Sequence, residues 1–128
     1  MRLLLRYVLP LGIIAALAAP ATGQPIRVNG QQARLAIRQV TPRALRITLT
    51  PRGYKNDFPY SPAISAGLSS GPALIDLRAF SSPIQKKMGS LLVKLSNDPL
   101  TITITNAQGR QVQSLVFDSA GVVHFATG

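Results

Sequence analysis

Between Leu91 and Phe125 the chain reads LLVKLSNDPLTITITNAQGRQVQSLVFDSAGVVHF, a set of short alternating runs separated by turn residues. Leu100, Ile102 and Ile104 alternate with Thr101, Thr103 and Thr105, and β-branched residues at period two predict a strand with one buried face. With Gln108-Gly109 as a two-residue loop, Ile102 falls opposite Leu115 and Leu100 opposite Phe117. With Ser119-Ala120-Gly121 as a three-residue loop and Gly in its left-handed position, Phe117 meets Val123 and Leu115 meets Phe125. Both loops put the apolar pairs on one side, so the pattern predicts a β-meander whose three strands share an apolar face.

The same pattern occurs upstream. Ile26 to Val28 reads as a short strand and Asn29-Gly30 as its turn, after which Ala33, Leu35 and Ile37 alternate with Arg34, Ala36 and Arg38. A bend centred on Pro42 sets Ile37 against Ile47 and Leu35 against Leu49 on the inner face. On the outer face it sets Arg38 opposite Arg46. Like charges directly across a ladder cost from a few tenths to about 1 kcal/mol. Two readings of the pair follow. The heads splay into water or toward an Asp of a neighbouring strand, at small cost, or they form a docking face for acidic groups on a second domain, for which the planar fork of arginine is suited.

From Pro51 to Ser90 the pattern breaks, with Pro51, Pro59, Pro62, Pro72 and Pro83 spread among Gly and Ser. A structureless loop of that length is unusual inside a small domain, so a strand is expected within it, at Ala73 to Leu77. Tyr54, Phe58 and Tyr60 cluster in its first part. Loop aromatics either stack on sugar rings or close over the end of a sandwich as packing.

At the start of the chain Arg2 and Arg6 precede an apolar run from Val8 to Ala19, and Ala21-Thr22-Gly23 follows. This is the layout of a secretory signal peptide over residues 1–23 with cleavage before Gln24. The alternative, an uncleaved membrane anchor, asks for ~20 apolar residues, and the run is shorter and interrupted by Pro10. The remainder, residues 24–128, is one small β domain of about 105 residues, too short for a barrel enzyme of ~250. With no cysteine, an exported domain has to hold together through an apolar core.

The formal charge is +10, carried by 14 Lys and Arg against four Asp and Glu. All four acids are aspartates: Asp57, Asp76, Asp98 and Asp118. The charge points either to an anionic partner or to ordinary solvated strand faces. Nucleic acid is not expected, because no aromatic residues interleave with the basic ones.

Catalytic patterns are absent: there is no HExxH, Walker loop, GxSxG or CxxC. His124 is the single histidine, with no Cys or Glu to join it, so neither a metal site nor a cofactor is expected. Asp98 and Asp118 fall in turns, where aspartate is expected to bond its own backbone, and neither is a credible catalytic acid.

The run Leu92 to Val116, with its Asn97-Asp98-Pro99-Leu100 corner and Ala-Gln-Gly turn, resembles the end of the N-terminal β-sandwich of glycoside hydrolase family 31. Ala44-Leu45-Arg46-Ile47-Thr48-Leu49-Thr50-Pro51 is similar to a strand of the same domain, and the resemblance covers most of the chain after Gln24. It implies an antiparallel, galactose mutarotase-like β-sandwich, which with the signal peptide over residues 1–23 is expected to be exported, periplasmic or secreted. It also implies a non-catalytic accessory role beside a (β/α)8 barrel that this chain lacks, with oligosaccharide as a partner near Tyr54, Phe58 and Tyr60 and no catalytic residue here. From a different class, the alternative is a free-standing secreted or periplasmic β-sandwich module that binds glycans or polyanions, with no membrane anchor once the signal is removed.

Overall fold

The computed structural model describes residues 23–54 and 71–128, and among them every regular element is a strand. Five strands form one antiparallel meander: β7 (Ile84–Met88), β8 (Leu91–Ser96), β9 (Leu100–Thr105), β10 (Gln111–Phe117) and β11 (Val123–Thr127). The second sheet is built on the eleven-residue β3 (Gln31–Thr41). Its partners are β2 (Arg27–Val28), β4 (Ala44–Pro51) and β5 (Ala73–Leu77). Leu35, Ala36 and Ile37 pair with both β4 and β5, so β3 is the central strand there. A third ladder joins β1 (Gln24–Pro25) to β6 (Ala79–Phe80).

The alternating residues of the two larger sheets meet in one core. Leu35, Ile37, Val93, Leu95 and Ile102 are fully buried, and Ile26, Ile75, Met88 and Leu100 join the same cluster. Each such side chain contributes about 1.5–3 kcal/mol over its exposed state. Two antiparallel sheets sharing one apolar layer is the architecture of a β-sandwich.

The predicted pairs are observed. Ile102 lies opposite Leu115, Leu100 opposite Phe117, Phe117 opposite Val123 and Leu115 opposite Phe125. Ile37 pairs with Ile47, Leu35 with Leu49 and Arg38 with Arg46. β5 occupies the expected Ala73–Leu77.

Four details differ from the sequence expectation. The β9–β10 connection is not a two-residue loop. Asn106 N–H bonds Arg110 O at 2.9 Å and Gly109 N–H bonds Asn106 O at 3.0 Å, which makes three loop residues with Gly109 at φ 77°. A bulge between Gln111 and Gln113 then restores the register. The β3–β4 bend likewise pairs Thr41 with Ala44 and recovers through a bulge between Gln39 and Thr41. The stretch expected to be irregular also contains β6 and β7, and β7 is hidden in sequence because an edge strand tolerates Lys86 and Lys87 on consecutive positions. Finally, Phe125 has the predicted parity yet is 66% exposed, because β11 is the edge of its sheet and lies beyond the core.

The turns gather at two ends. One end holds the β2–β3 turn at Asn29-Gly30, the β8–β9 corner at Asn97-Asp98-Pro99, whose Asp98–Pro99 peptide is cis, and the β10–β11 turn at Ser119 to Gly121. The other holds the turns at Pro42-Arg43, Gly89-Ser90 and Ala107 to Gly109.

Candidate functional site

Strand alternation sends Arg34 and Arg38 of β3, Arg46 of β4 and Asp76 of β5 to the face of the second sheet opposite Leu35 and Ile37. The Arg34 guanidinium grips Asp76 with both prongs: Nε donates to Oδ1 at 2.6 Å and a terminal nitrogen donates to Oδ2. This bidentate bond, reinforced by the nearby charges of Arg34, Arg38 and Arg78, holds the Asp76 carboxyl below the usual carboxylate range. Asp76 is the one carboxylate on this face among the described residues, and Arg34 uses it.

Arg38 lies directly across the ladder from Arg46. One Arg38 terminal nitrogen donates to Gly71 O at 3.1 Å, and among the described residues Arg46 has no carboxylate partner. The expected splaying toward an Asp of the neighbouring strand is therefore made by Arg34 rather than by the Arg38–Arg46 pair. Among the described residues the result is a basic face whose central pair keeps guanidinium donors without a carboxylate.

Of the three aromatic residues expected on a sugar-contacting loop, Tyr54 is 62% exposed just beyond β4, and its N–H bonds Pro51 O at 3.2 Å. Phe58 and Tyr60 lie outside the described residues.

The open end of the sandwich carries a second feature. A cleft of about 570 Å³ lies between Gln24 to Arg27, the Asn29-Gly30 turn, the Asn97 to Pro99 corner and the β10–β11 turn. Its apolar lining comes from Pro25, Pro99, Leu100 and Phe117, and its polar lining includes Arg27, Asn29, Asp98 and Asp118. Sequence spacing gives no hint of it, because its walls come from segments as far apart as Gln24 and Ser119.

The aspartates of this end behave differently from one another. Asp118 bonds its own turn as expected, its Oδ1 accepting from Ala120 N–H at 3.0 Å and Val122 N–H at 2.9 Å. Its other oxygen accepts from His124 Nε2 at 2.8 Å. The His124 bond first, and the two turn N–H groups after it, hold the Asp118 carboxyl below its ordinary range. Asp98 departs from expectation: in its turn the acceptor is Asn97 Oδ1, which takes Asp98 N–H at 3.2 Å, and no described group bonds the Asp98 carboxylate. Among the described residues no cluster of three or more His, Cys, Asp or Glu could hold a metal.

No protein-family profile matches this chain, and neither a curated protein nor a solved structure matches it.

Proposed function

We propose that the chain is a non-catalytic β-sandwich binding module, exported, that holds a polyanionic partner on the outer face of the β4-β3-β5 sheet. The observation that carries the reading is the Arg38–Arg46 cross-strand pair, which among the described residues has no carboxylate while Arg34 takes Asp76. Two like charges opposite each other on a ladder repel, and an anion on that face relieves the repulsion while accepting from both planar forks. A sulfated or carboxylated polysaccharide supplies such groups in series.

The test is retention of the purified chain on heparin at rising salt, with dextran as the uncharged control. Replacing Arg38 and Arg46 together by Ala lowers affinity roughly tenfold and makes the logarithmic salt slope shallower by about two, one unit for each lost contact. Unchanged retention and slope in the double variant would sink the proposal.

An accessory role in a family 31 glycosidase is a second proposal. Its support is the order of strand, Asn97-to-Leu100 corner, strand and Gly turn across Leu92–Val116. Reading the transcript past the codon for Gly128 tests it: an open frame encoding alternating strands and helices with paired aspartates supports the role, and a stop codon removes it.

A further inference from the structure

The cleft at the open end concentrates features that are scarce elsewhere in the molecule. Two of the four acidic residues of the whole chain, Asp98 and Asp118, line it. Among the described residues Asn29 and Asp98 are the two non-glycine positions with positive φ, at 50° and 63°, and both line it as well. The two-residue Asn29-Gly30 hairpin turn requires the Asn29 value, whereas Asp98 takes its value in the corner between β8 and β9.

The polar inventory of the cleft is largely unspent. Among the described residues, the Asp98 carboxylate, the Asn29 amide and the Ser119 hydroxyl have no side-chain hydrogen bond. Arg27 uses one terminal nitrogen on Gly30 O, at 3.3 Å, and keeps its remaining donors. Asp118, by contrast, is occupied by His124 and its own turn.

These groups define the ligand by elimination. The lining sets Asp98 and Asp118 against Arg27, and Asp118 is already engaged by His124 and its own turn; the two carboxylates disfavour a polyanion and the Arg27 charge disfavours a simple cation. Acceptors and donors side by side suit a group that does both, which is the hydroxyl, and a carboxylate takes two neighbouring hydroxyls at once. The apolar lining, with the Phe117 ring partly exposed, suits the C–H face of a ring. We infer that the cleft between the Asn29-Gly30 turn, the Asp98 corner and Phe117 is a binding site for a neutral saccharide, with Asp98 and Arg27 as its polar anchors. Neither Arg38 nor Arg46 lines it, so this site and the polyanion face stand or fall separately.

The test is calorimetric titration of the chain with three neutral trisaccharides (maltotriose, cellotriose and mannotriose), and with calcium chloride and spermidine as cation probes. The expected result is saturable one-to-one binding of at least one trisaccharide and none of either cation. Asp98→Asn tolerates the same backbone conformation and removes the charge, so it should weaken binding at least tenfold while leaving the unfolding temperature in place. Arg27→Gln should weaken it several-fold, and Lys87→Ala, on the far edge strand, should not change it. Failure of all three sugars to bind overturns the inference, as does calcium or spermidine binding in their stead, or a sugar affinity indifferent to Asp98→Asn.

Discussion

The two ends of this sandwich are made of the same kind of part, short turns with Asn, Asp, Pro and Gly, and they are finished in opposite ways. At one end Ser90 donates to Pro42 O from both its N–H, at 3.0 Å, and its hydroxyl, at 2.8 Å. Gly89 there has φ 60° and so little room that a Cβ would stand 2.6 Å from Pro42 O. At the other end the Asn29-Gly30 turn touches the β10–β11 turn through Gly121, where a Cβ would stand 2.9 Å from Asn29 Cβ. The corner at Asp98 stays apart, and the gap is the cleft. The turns at Pro42 and Ser90 spend polar groups on each other, whereas among the described residues the open end leaves the Asp98 carboxylate and most of the Arg27 donors of β2 unspent.

The largest way to break this contrast is at the closed end. Gly89→Ala forces a side chain into left-handed backbone and against a backbone oxygen, which should cost about 3 kcal/mol. Thermal unfolding should move down by roughly 15 °C for a domain of this size. At the open end Gly121→Ala also falls at positive φ and would meet Asn29 Cβ at 2.9 Å, so the exposed Asn29-Gly30 turn has to shift; with one close contact in place of the two backbone clashes at Gly89, the cost should be smaller, about 1–2 kcal/mol. That variant should also shift the Asn29 wall and weaken saccharide binding, whereas Gly89→Ala, assayed below its unfolding temperature, should leave binding intact.

The smallest expected effect sharpens a comparison between two turns of identical construction. Asn106 Oδ1 accepts from Gln108 N–H at 3.0 Å and Arg110 N–H at 2.9 Å, as Asp118 Oδ1 does from Ala120 and Val122. Only Asp118 carries a charge and a partner, His124. Its carboxyl is depressed in the folded chain, so the stability it contributes is present above the unfolded carboxylate value of about 3.9 and is lost as pH falls through the folded value. Asp118→Asn keeps the turn bonds and should remove that part of the acid-side slope in urea unfolding measured below pH 4. An unaltered slope would mean that the exposed pair contributes nothing.

These contrasts were unequally legible in the residues. Strand pairing was readable because apolar parity is redundant: Leu35 and Ile37 on one strand answer Leu49 and Ile47 on the next. Loop lengths were not, because the bulges beyond Gln39 and Gln111 absorb one residue each, and the alternation resumes with the same parity whether the extra residue sits in the turn or the strand. β7 was missed because Lys86 points to the core side and reaches Leu74 O at 2.6 Å, an inward charge that guards an edge and erases the alternation.

The basic pair could be placed from register alone, since Arg38 and Arg46 follow from Ile37 and Ile47. The capture of Asp76 by Arg34 could not, because it depends on β5 crossing to the side of β3 away from β4. The cleft was illegible for a similar reason: three turns distant in the chain create it, and nothing in a turn sequence distinguishes an aspartate that serves its own backbone, as Asp118 does, from one left free, as Asp98 is.

The claim that one end of the fold binds while the other only holds it together is tested most directly by mapping backbone amide shifts of the whole chain during titration with maltotriose, cellotriose and mannotriose. The account predicts saturable shifts confined to the amides around Asn29, Asp98, Phe117 and Ser119, with Gly89 and Ser90 unmoved. Shifts centred on Gly89 and Ser90, or none at the open end with any of the three sugars, would contradict it.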